Sequence, residues 1–324
     1  RKSEPSLLFT NEPGTDGLGP STPHYSTWSP DEAHIAFLAG TWKGELTLFI
    51  VDPMLPNTIE SMIGGSPSFP CWSPDSRFLL AHIGENHFLA DFQNHKSVVK
   101  LPSTSSLYMA PSWSPIDDRM AILEHVSDDR QELLIGDVGE GRVDVIAEMY
   151  GRSAFSWSPN GDYIAMLRAP HHNTPFYSGL WIVATNGAGE HQLSDELNSC
   201  FFWSPDGSKI AFISAQTETQ GAVRWAVVDV NGGNVQHLTE FSPTEEQMNL
   251  FIYFDQYSLS HNPWSPDSHS LVFAGAPTGE TPGQEPPLGD YPGNVYVLNV
   301  DGDKALNTIA RGVFGTWQPQ SAAT

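Results

Sequence analysis

Two histidines in this sequence lie just before tryptophans that recur along the chain. His24 and His261 come four and three residues before Trp28 and Trp264. Imidazole can ligate a metal ion or transfer a proton near neutral pH. Two such histidines could therefore take part in metal binding or in proton transfer, although no sequence motif specifies a site here.

His171-His172 is the one adjacent histidine pair in the sequence. Successive side chains of an extended chain point to opposite sides, so these two imidazoles do not converge on one ion without further ligands. We interpret the pair as part of a surface loop.

An aromatic segment between residues 240 and 260 supplies further candidates. Phe254, Asp255, Gln256 and Tyr257 lie in it, and Ser242-Pro243-Thr244-Glu245 predicts a short helix before them, with Ser242 as the N-cap and Pro243 in the first helical position. The aromatic side chains either anchor the segment onto the fold or form a surface on which a partner stacks. Both interpretations remain open at this point.

Motifs of the common catalytic and cofactor sites do not occur. The sequence has no Gly-x-Ser-x-Gly, no His-Glu-x-x-His, no phosphate-binding glycine loop ahead of a helix and no complete calcium loop. Cys71 and Cys200 form no metal-binding pattern, and their apolar neighbours predict inert buried thiols. The sequence predicts no catalytic residues, no cofactor and no metal site.

A repeat organises the elements that position these side chains. The motif Trp-Ser-Pro occurs six times, and Trp-Gln-Pro follows once; the tryptophans are Trp28, Trp72, Trp113, Trp157, Trp203, Trp264 and Trp317. The first five copies recur every 41–46 residues. Periods of this length are typical of repeat architectures. We predict that each tryptophan fills the gap between neighbouring repeats and has no catalytic role.

Each repeat contains short apolar runs separated by turn residues, which predict strands. The runs after the motif are 35–39, 78–83, 120–123, 163–167, 209–213 and 271–274. The next runs include 46–51, 133–138, 180–184, 226–230 and 295–300, and the last runs include 98–101, 143–147, 192–193 and 235–238. Asn186-Gly187, Asn231-Gly232 and Asp301-Gly302 predict tight hairpin turns. Four antiparallel strands in about 44 residues predict one blade of an all-β propeller.

The segment Trp-Ser-Pro-Asp-Gly-Ser-Lys-Ile-Ala-Phe at 203–212 resembles the repeat of TolB-type propellers, which are related to WD-repeat propellers. The resemblance covers nearly the whole chain. It implies the fold, but TolB has a further α/β domain that this chain lacks, so its role in the envelope complex is not carried over. The repeat also resembles the propeller of prolyl-oligopeptidase-type peptidases, whose hydrolase domain is absent. The propeller lyases that act on pectin fragments hold a metal with His and Gln side chains. By this resemblance, His24, His261 and Gln256 would be the candidate metal ligands in this chain.

The tryptophan count predicts a single domain over 1–324 with seven four-stranded antiparallel blades, and six blades are the alternative. The seventh blade would be thin and shared by the termini, with an innermost strand at 313–317 and a closing strand at 6–10. Such closure would remove exposed sheet edges. The chain starts without Met or a leader. We interpret it as a mature protein or as a domain of a longer exported or anchored one.

The longest predicted loops indicate where a site would lie. They are 275–292, 169–178 and the insertion 240–260, which a four-stranded meander places on one face of blades four to six. The candidate residues for binding a ligand or partner are His24, Tyr25, His171, His172, Phe176, Tyr177, Phe254, Asp255, Gln256, Tyr257 and His261.

Composition limits the partners. The chain has 15 Lys and Arg against 38 Asp and Glu, a net charge of −23, which opposes binding to nucleic acid. No apolar stretch is long enough to enter a membrane.

We therefore predict a non-enzymatic scaffold that binds a protein or peptide, with a small molecule or sugar as another ligand class. A propeller carbohydrate lyase or hydrolase, with its site at the mouth of the central channel, is the alternative. The TolB resemblance implies an exported bacterial protein, periplasmic or at the cell surface.

Overall fold

Short runs of aliphatic and aromatic residues, bounded by Gly, Pro, Asn and Asp, form the strands in a computed structural model of the chain. The structure describes residues 25–40, 46–55, 59–94, 96–105, 109–138, 142–169, 174, 176–258, 260–278 and 293–317. It divides into two units, Arg1–Glu148 and Met149–Thr324.

Within its described residues, the first unit contains three antiparallel four-stranded sheets, each a simple meander. The first sheet is β1 (Tyr25–Trp28), β2 (Ile35–Gly40), β3 (Leu46–Val51) and β4 (Glu60–Gly64). The second is β5 (Ser68–Trp72), β6 (Phe78–Ile83), β7 (Asn86–Asp91) and β8 (Ser97–Thr104). The third is β9 (Ser112–Trp113), β10 (Arg119–Ser127), β11 (Arg130–Asp137) and β12 (Val143–Tyr150). Strand positions thus follow the predicted repeat.

The second unit contains ten antiparallel strands that pair in chain order over the described residues. They are β13 (Ser153–Trp157), β14 (Tyr163–Arg168), β15 (Tyr177–Ala184), β16 (His191–Trp203), β17 (Lys209–Ser214), β18 (Val223–Asp229), β19 (Gln236–Pro243), β20 (Ser270–Pro277), β21 (Asn294–Asn299) and β22 (Leu306–Arg311). Two short helices, α1 (Glu245–Ile252) and α2 (Phe254–Tyr257), lie between β19 and β20.

Two strands join successive repeats of the second unit into one continuous sheet. The first part of β16 pairs with β15, and its last residues, Phe201, Phe202 and Trp203, pair with β17. The end of β19 likewise pairs with the end of β20. Each strand is therefore the outermost strand of one repeat and leads directly into the next repeat.

The polar turn after five of the tryptophans is held by its serine. In one copy, Ser204 Oγ donates to Asp206 Oδ1 (2.6 Å) and accepts from the Lys209 amide (2.9 Å). The fourth residue of this turn, Gly207, has a φ of +70°, a left-handed conformation that glycine adopts without strain. The same serine contacts recur at Ser29, Ser73, Ser158 and Ser265. This turn explains the Ser-Pro-Asp/Asn pattern as a structural signal.

Five of the tryptophans connect successive repeats within a unit, as predicted, whereas Trp28 is 54% exposed. In each of the five, the indole Nε1 donates to the carbonyl of the residue immediately before the tryptophan of the preceding repeat. The bonds that the structure describes within each unit are Trp72 to Thr27 (3.4 Å), Trp113 to Cys71 (3.0 Å), Trp203 to Ser156 (3.2 Å), Trp264 to Phe202 (2.9 Å) and Trp317 to Pro263 (2.8 Å). The motif is therefore a joint between repeats.

The core lies between successive repeats. Leu48, Ile50, Leu79 and Ala81 pack between the first and second sheets. In the second unit a larger cluster includes Phe201, Phe212, Trp225 and Phe273, all fully buried. Cys200 is buried and Cys71 is half-buried, and burial raises the pKa of both thiols, that of Cys71 to about 11. This fits the prediction of inert thiols.

One sequence expectation is wrong in detail, and another concerns residues that the structure does not describe. Residues 313–317 form no strand, although Trp317 makes the same indole bond as the earlier copies. The predicted strand at 6–10 lies outside the described residues. None of the helices in the described part of the chain has the length and apolar character needed to span a membrane.

Candidate functional site

The insertion between β19 and β20 contains two helices, but its first helix begins later than the sequence pattern predicted. Thr244 is the N-cap, and its Oγ1 accepts a hydrogen bond from the Gln247 amide (3.2 Å). Pro243 is not the first helical residue, because it still pairs with Gly275 at the end of β19. The capping prediction failed by two residues because strand pairing takes precedence over the helical propensity of the local sequence.

This insertion also replaces a strand. Before β20 the structure describes only an isolated bridge between Trp264 and Leu271 where the other repeats have an innermost strand. Gln247 Oε1 accepts from the Ala274 amide (3.0 Å), and the Thr244 amide donates to the Ala274 carbonyl (3.3 Å). The start of α1 thus supplies hydrogen-bond partners for the Ala274 amide and carbonyl, which have no neighbouring strand on the inner edge of β20 in the described part of the chain.

One side of the insertion is fixed in the core. Phe251 and Phe254 are 0% and 1% exposed. The Phe254 ring lies 5.1 Å from that of Phe201, and the Phe251 ring lies 5.6 Å from that of Trp225. These two aromatic residues therefore anchor the segment, and the structure places the candidate Phe254 in the interior.

The other side of the insertion faces outward. Ile252 is 56% exposed and Tyr253 is 45% exposed, although each is next to an anchoring phenylalanine. Large apolar side chains on a fixed segment form a surface that needs little ordering when a partner binds. Tyr253 belongs to the aromatic segment that the sequence indicated, but the sequence did not show which of its side chains face outward and did not single out Ile252. Which side of a short helix faces the core depends on the neighbouring strands.

Tyr257 and His261 are brought together beside this surface. Their rings lie 5.5 Å apart and nearly perpendicular, and the His261 ring is also 5.5 Å from that of Phe314. Ser260 Oγ lies 2.8 Å from His261 Nδ1. Burial lowers the pKa of His261 and raises the pKa of Tyr257, so both side chains are neutral at neutral pH. The pair is suited to stacking and to neutral hydrogen bonds.

A charged group lies at the same end of the second unit. The Arg152 guanidinium carbon is 4.3 Å from the centre of the Tyr177 ring, an arrangement that permits a cation–π interaction. Burial is the main cause that raises the pKa of Tyr177; the Asp255 carboxylate adds to this, and Arg152 opposes it. The structure thus brings Arg152 and Asp255 near Tyr177. Sequence analysis missed Arg152 because no motif marks it.

The structure also describes three further candidates, which lie apart from these ring contacts. Gln256 is half-buried, and its backbone N–H donates to Asp255 Oδ1 (3.0 Å). Phe176 is half-buried just before β15. Tyr25 belongs to the first unit, where it packs against the core between the first two sheets.

Part of the predicted site cannot be placed. His24, His171 and His172 lie outside the described residues, and so does most of the loop 275–292. Over the portion of the chain that is described, no three His, Cys, Asp or Glu side chains are grouped as a metal site. The geometry described for the insertion favours recognition through aromatic and apolar contacts.

No protein-family model and no curated protein sequence matches the chain. Among solved structures, TolB from Acinetobacter baumannii is similar over 88% of this chain, with 19% identity and a TM-score of 0.49. The chain spans 65% of that TolB structure's length.

Two other solved structures are more similar to this chain in fold. Oligogalacturonate lyase from Vibrio parahaemolyticus matches 88% of this chain and 76% of its own, with 15% identity and a TM-score of 0.57. A prolyl endopeptidase matches 90% of this chain and 42% of its own, with 10% identity and a TM-score of 0.57. At these identities the likeness shows the fold alone, which is all-β and of the β-propeller type with antiparallel four-stranded sheets.

Proposed function

We propose that this chain is a non-enzymatic β-propeller scaffold that binds a protein or peptide on the insertion of its second unit. The observation that carries the proposal is the contrast between adjacent residues of the insertion. Phe251 and Phe254 are fully buried, whereas Ile252 and Tyr253 are largely exposed. An apolar and aromatic surface is therefore held on a rigid support, which is the usual arrangement of a binding loop.

The charge of the insertion indicates the chemistry of the partner. Glu245 and Glu246 are exposed in the first turn of α1, and Asp255 lies in α2. The whole chain carries a net charge of −23. Opposite charge accelerates association and excludes wrong partners, so we propose a basic segment with apolar side chains as the partner.

Selection of random peptides against the wild-type chain, followed by calorimetry of the selected peptides, tests the proposal. Ile252→Ser should weaken binding at least tenfold, because exposed apolar contact area is lost. Ile309→Ser is the matched control, because Ile309 is 58% exposed on β22 of the same unit. Equal binding by wild type and Ile252→Ser would place the surface elsewhere.

The double variant Tyr257→Ala with His261→Ala tests whether the insertion can be altered without loss of the fold. We expect it to remain folded, because the anchoring rings and the repeated strands supply the core. Thermal unfolding followed by circular dichroism checks this. An unfolded double variant would show that these residues belong to the core and would remove them from the binding site.

The alternative is a carbohydrate lyase or hydrolase, with its site at the mouth of the central channel. It is favoured by the neutral His261 beside Tyr257 and by Arg152 over the Tyr177 ring, which are groups able to transfer protons and hold a sugar carboxylate. Incubation with oligogalacturonate, with and without added divalent cations, tests it. Turnover that is lost in His261→Gln would establish the enzyme and overturn the scaffold.

For the architecture we propose seven blades in a single propeller domain. The support is Trp317, whose indole repeats the bond made by the preceding tryptophans and so marks a seventh copy. The thin closing blade shared by the termini remains part of this proposal. We propose in addition that the protein is exported, to the periplasm or the bacterial surface, in line with the TolB resemblance of its repeat.

A further inference from the structure

A pair of buried histidines lies in the first unit, away from the insertion. His82 in β6 and His87 in β7 are directly opposite each other in the strand register. Their ring centres are 5.2 Å apart, and the residues are 0% and 1% exposed. Side chains opposite each other on neighbouring strands project from the same face of a sheet. The two imidazoles therefore share one interior space.

Each ring is oriented by a hydrogen bond through Nδ1. His82 Nδ1 lies 2.7 Å from the Met109 carbonyl oxygen, and His87 Nδ1 lies 3.0 Å from Ser103 Oγ. A carbonyl oxygen can only accept a hydrogen bond, so His82 Nδ1 carries the proton. The lone pair of His82 is then on Nε2.

His82 Nε2 is buried and makes no hydrogen bond of standard geometry among the described residues, although the Gly84 backbone lies within reach of a weak hydrogen bond to the ring. A buried acceptor without a partner is unfavourable and indicates a water or ion that belongs in the structure.

We propose that His82 and His87 form a binding site for a first-row transition metal ion of the zinc class, ligated through Nε2 of both rings. Imidazole is a preferred ligand of Zn²⁺, Co²⁺ and Ni²⁺. Metal-binding histidines commonly donate their other ring nitrogen to a carbonyl or similar acceptor, and His82 is already held in this way. Two protein ligands leave positions for water or for an incoming ligand.

The surroundings provide a polar group and a route of entry. Ser105 has a buried hydroxyl with no partner in the described part of the chain, and its amide donates to the Glu85 carbonyl (3.1 Å). Glu85 is exposed in the turn between β6 and β7, so the histidine pair lies close to a surface hairpin. An ion would reach the pair through local opening of this turn.

Titration of the purified, chelator-treated chain with Zn²⁺ and Co²⁺ tests the proposal. We expect one ion per chain, and zinc X-ray absorption should show two imidazole nitrogens at about 2.0–2.1 Å. His82→Asn and His87→Asn keep a donor where Nδ1 stood and remove Nε2. Each should weaken binding at least tenfold. His191→Asn, at an exposed histidine of the second unit, is the matched control and should bind as wild type.

Three results would overturn the site. They are no binding by wild type at micromolar metal, equal binding by the two asparagine variants, or an absorption spectrum without two imidazole ligands. If an asparagine variant does not fold, the X-ray absorption spectrum of the wild-type chain still decides the question.

Discussion

Trp264 illustrates how one residue type builds this fold. Its side chain is 2% exposed, and its indole donates to the carbonyl of Phe202 in the preceding repeat. The aromatic area stabilises the contact between repeats, while the single polar atom fixes the register. The recurrence of this bond explains why the spacing of tryptophans reports the spacing of structural repeats.

Replacing Trp264 should separate these two contributions. Trp264→Ala should reduce the free energy of unfolding by about 3–5 kcal/mol, because it leaves a large cavity. Trp264→Phe keeps most of the apolar area but leaves the Phe202 carbonyl without its donor, so we expect a smaller loss of about 1–3 kcal/mol. Urea unfolding measures both. Equal losses in the two variants would show that the hydrogen bond, and not the packed ring, dominates.

The carboxylates of the polar turns make stability depend on pH. Hydrogen bonds from Ser265 Oγ and then from the His269 amide lower the pKa of Asp267 below 3.8. A carboxyl group with a lowered pKa in the folded state stabilises the fold above its unfolded pKa, and this contribution is lost as pH falls below about 3.8 through the folded value.

Asp267→Asn should therefore remove part of the acid sensitivity. Asn160 occupies the equivalent position in another turn and accepts from Ser158 through Oδ1, so the chain itself shows that Asn supports this turn. We expect wild type to be more stable than Asp267→Asn at neutral pH and the difference to shrink as pH falls below about 3.8. Urea midpoints from pH 7 to pH 3 give the measurement. A stability difference between wild type and Asp267→Asn that does not change with pH would show that the effect comes from packing.

At the level of elements, the insertion between β19 and β20 is both part of the fold and a candidate site. Thr244 and Gln247 supply the hydrogen bonds that a neighbouring strand supplies elsewhere. Gly275 allows β19 and β20 to lie this close together, because a Cβ at this position would clash with the Ser242 carbonyl oxygen. The exposed Ile252 and Tyr253 are thereby carried on an element that is hydrogen-bonded to the sheet.

Gln247→Leu tests this structural role. The leucine keeps the buried volume but leaves the Ala274 amide without an acceptor, so we expect a loss of about 1–3 kcal/mol in the free energy of unfolding. The neighbouring Glu246 is exposed, and Glu246→Leu should change stability by less than about 0.5 kcal/mol. Hydrogen exchange of the Ala274 amide reports directly on the lost bond. Unchanged protection of that amide in Gln247→Leu would contradict the role assigned to Gln247.

For the whole molecule, charge limits the class of partner. With a net charge of −23 the chain repels phosphate backbones, which require clusters of Lys and Arg for binding. We expect no saturable binding to a fluorescent DNA duplex near physiological salt. A labelled cationic peptide with a mass similar to that of the duplex should bind detectably. Its binding should weaken as salt is added. Saturable binding of the duplex would contradict the exclusion of nucleic acid.

Strand positions were largely predictable from sequence. The predicted runs at 46–51 and 78–83 coincide with β3 and β6, because short apolar runs between turn residues have few alternatives to a buried strand. The continuity of β16 and β19 was not predictable in this way. It depends on which neighbour each half of a strand pairs with, and that is a non-local property.

By itself, the sequence determined the repeat, the turns and the all-β class, since tryptophan spacing and Ser-Pro-Asp turns are local signals that recur. It also indicated a candidate site on the long loops of blades four to six, of which the insertion is one. Only the tertiary structure decided that Phe254 anchors the segment while Ile252 and Tyr253 face outward. It also placed Arg152 beside Tyr177, and His82 opposite His87. These outcomes depend on contacts between residues far apart in the chain, where burial and hydrogen bonding, and not local propensity, set the orientation of each side chain.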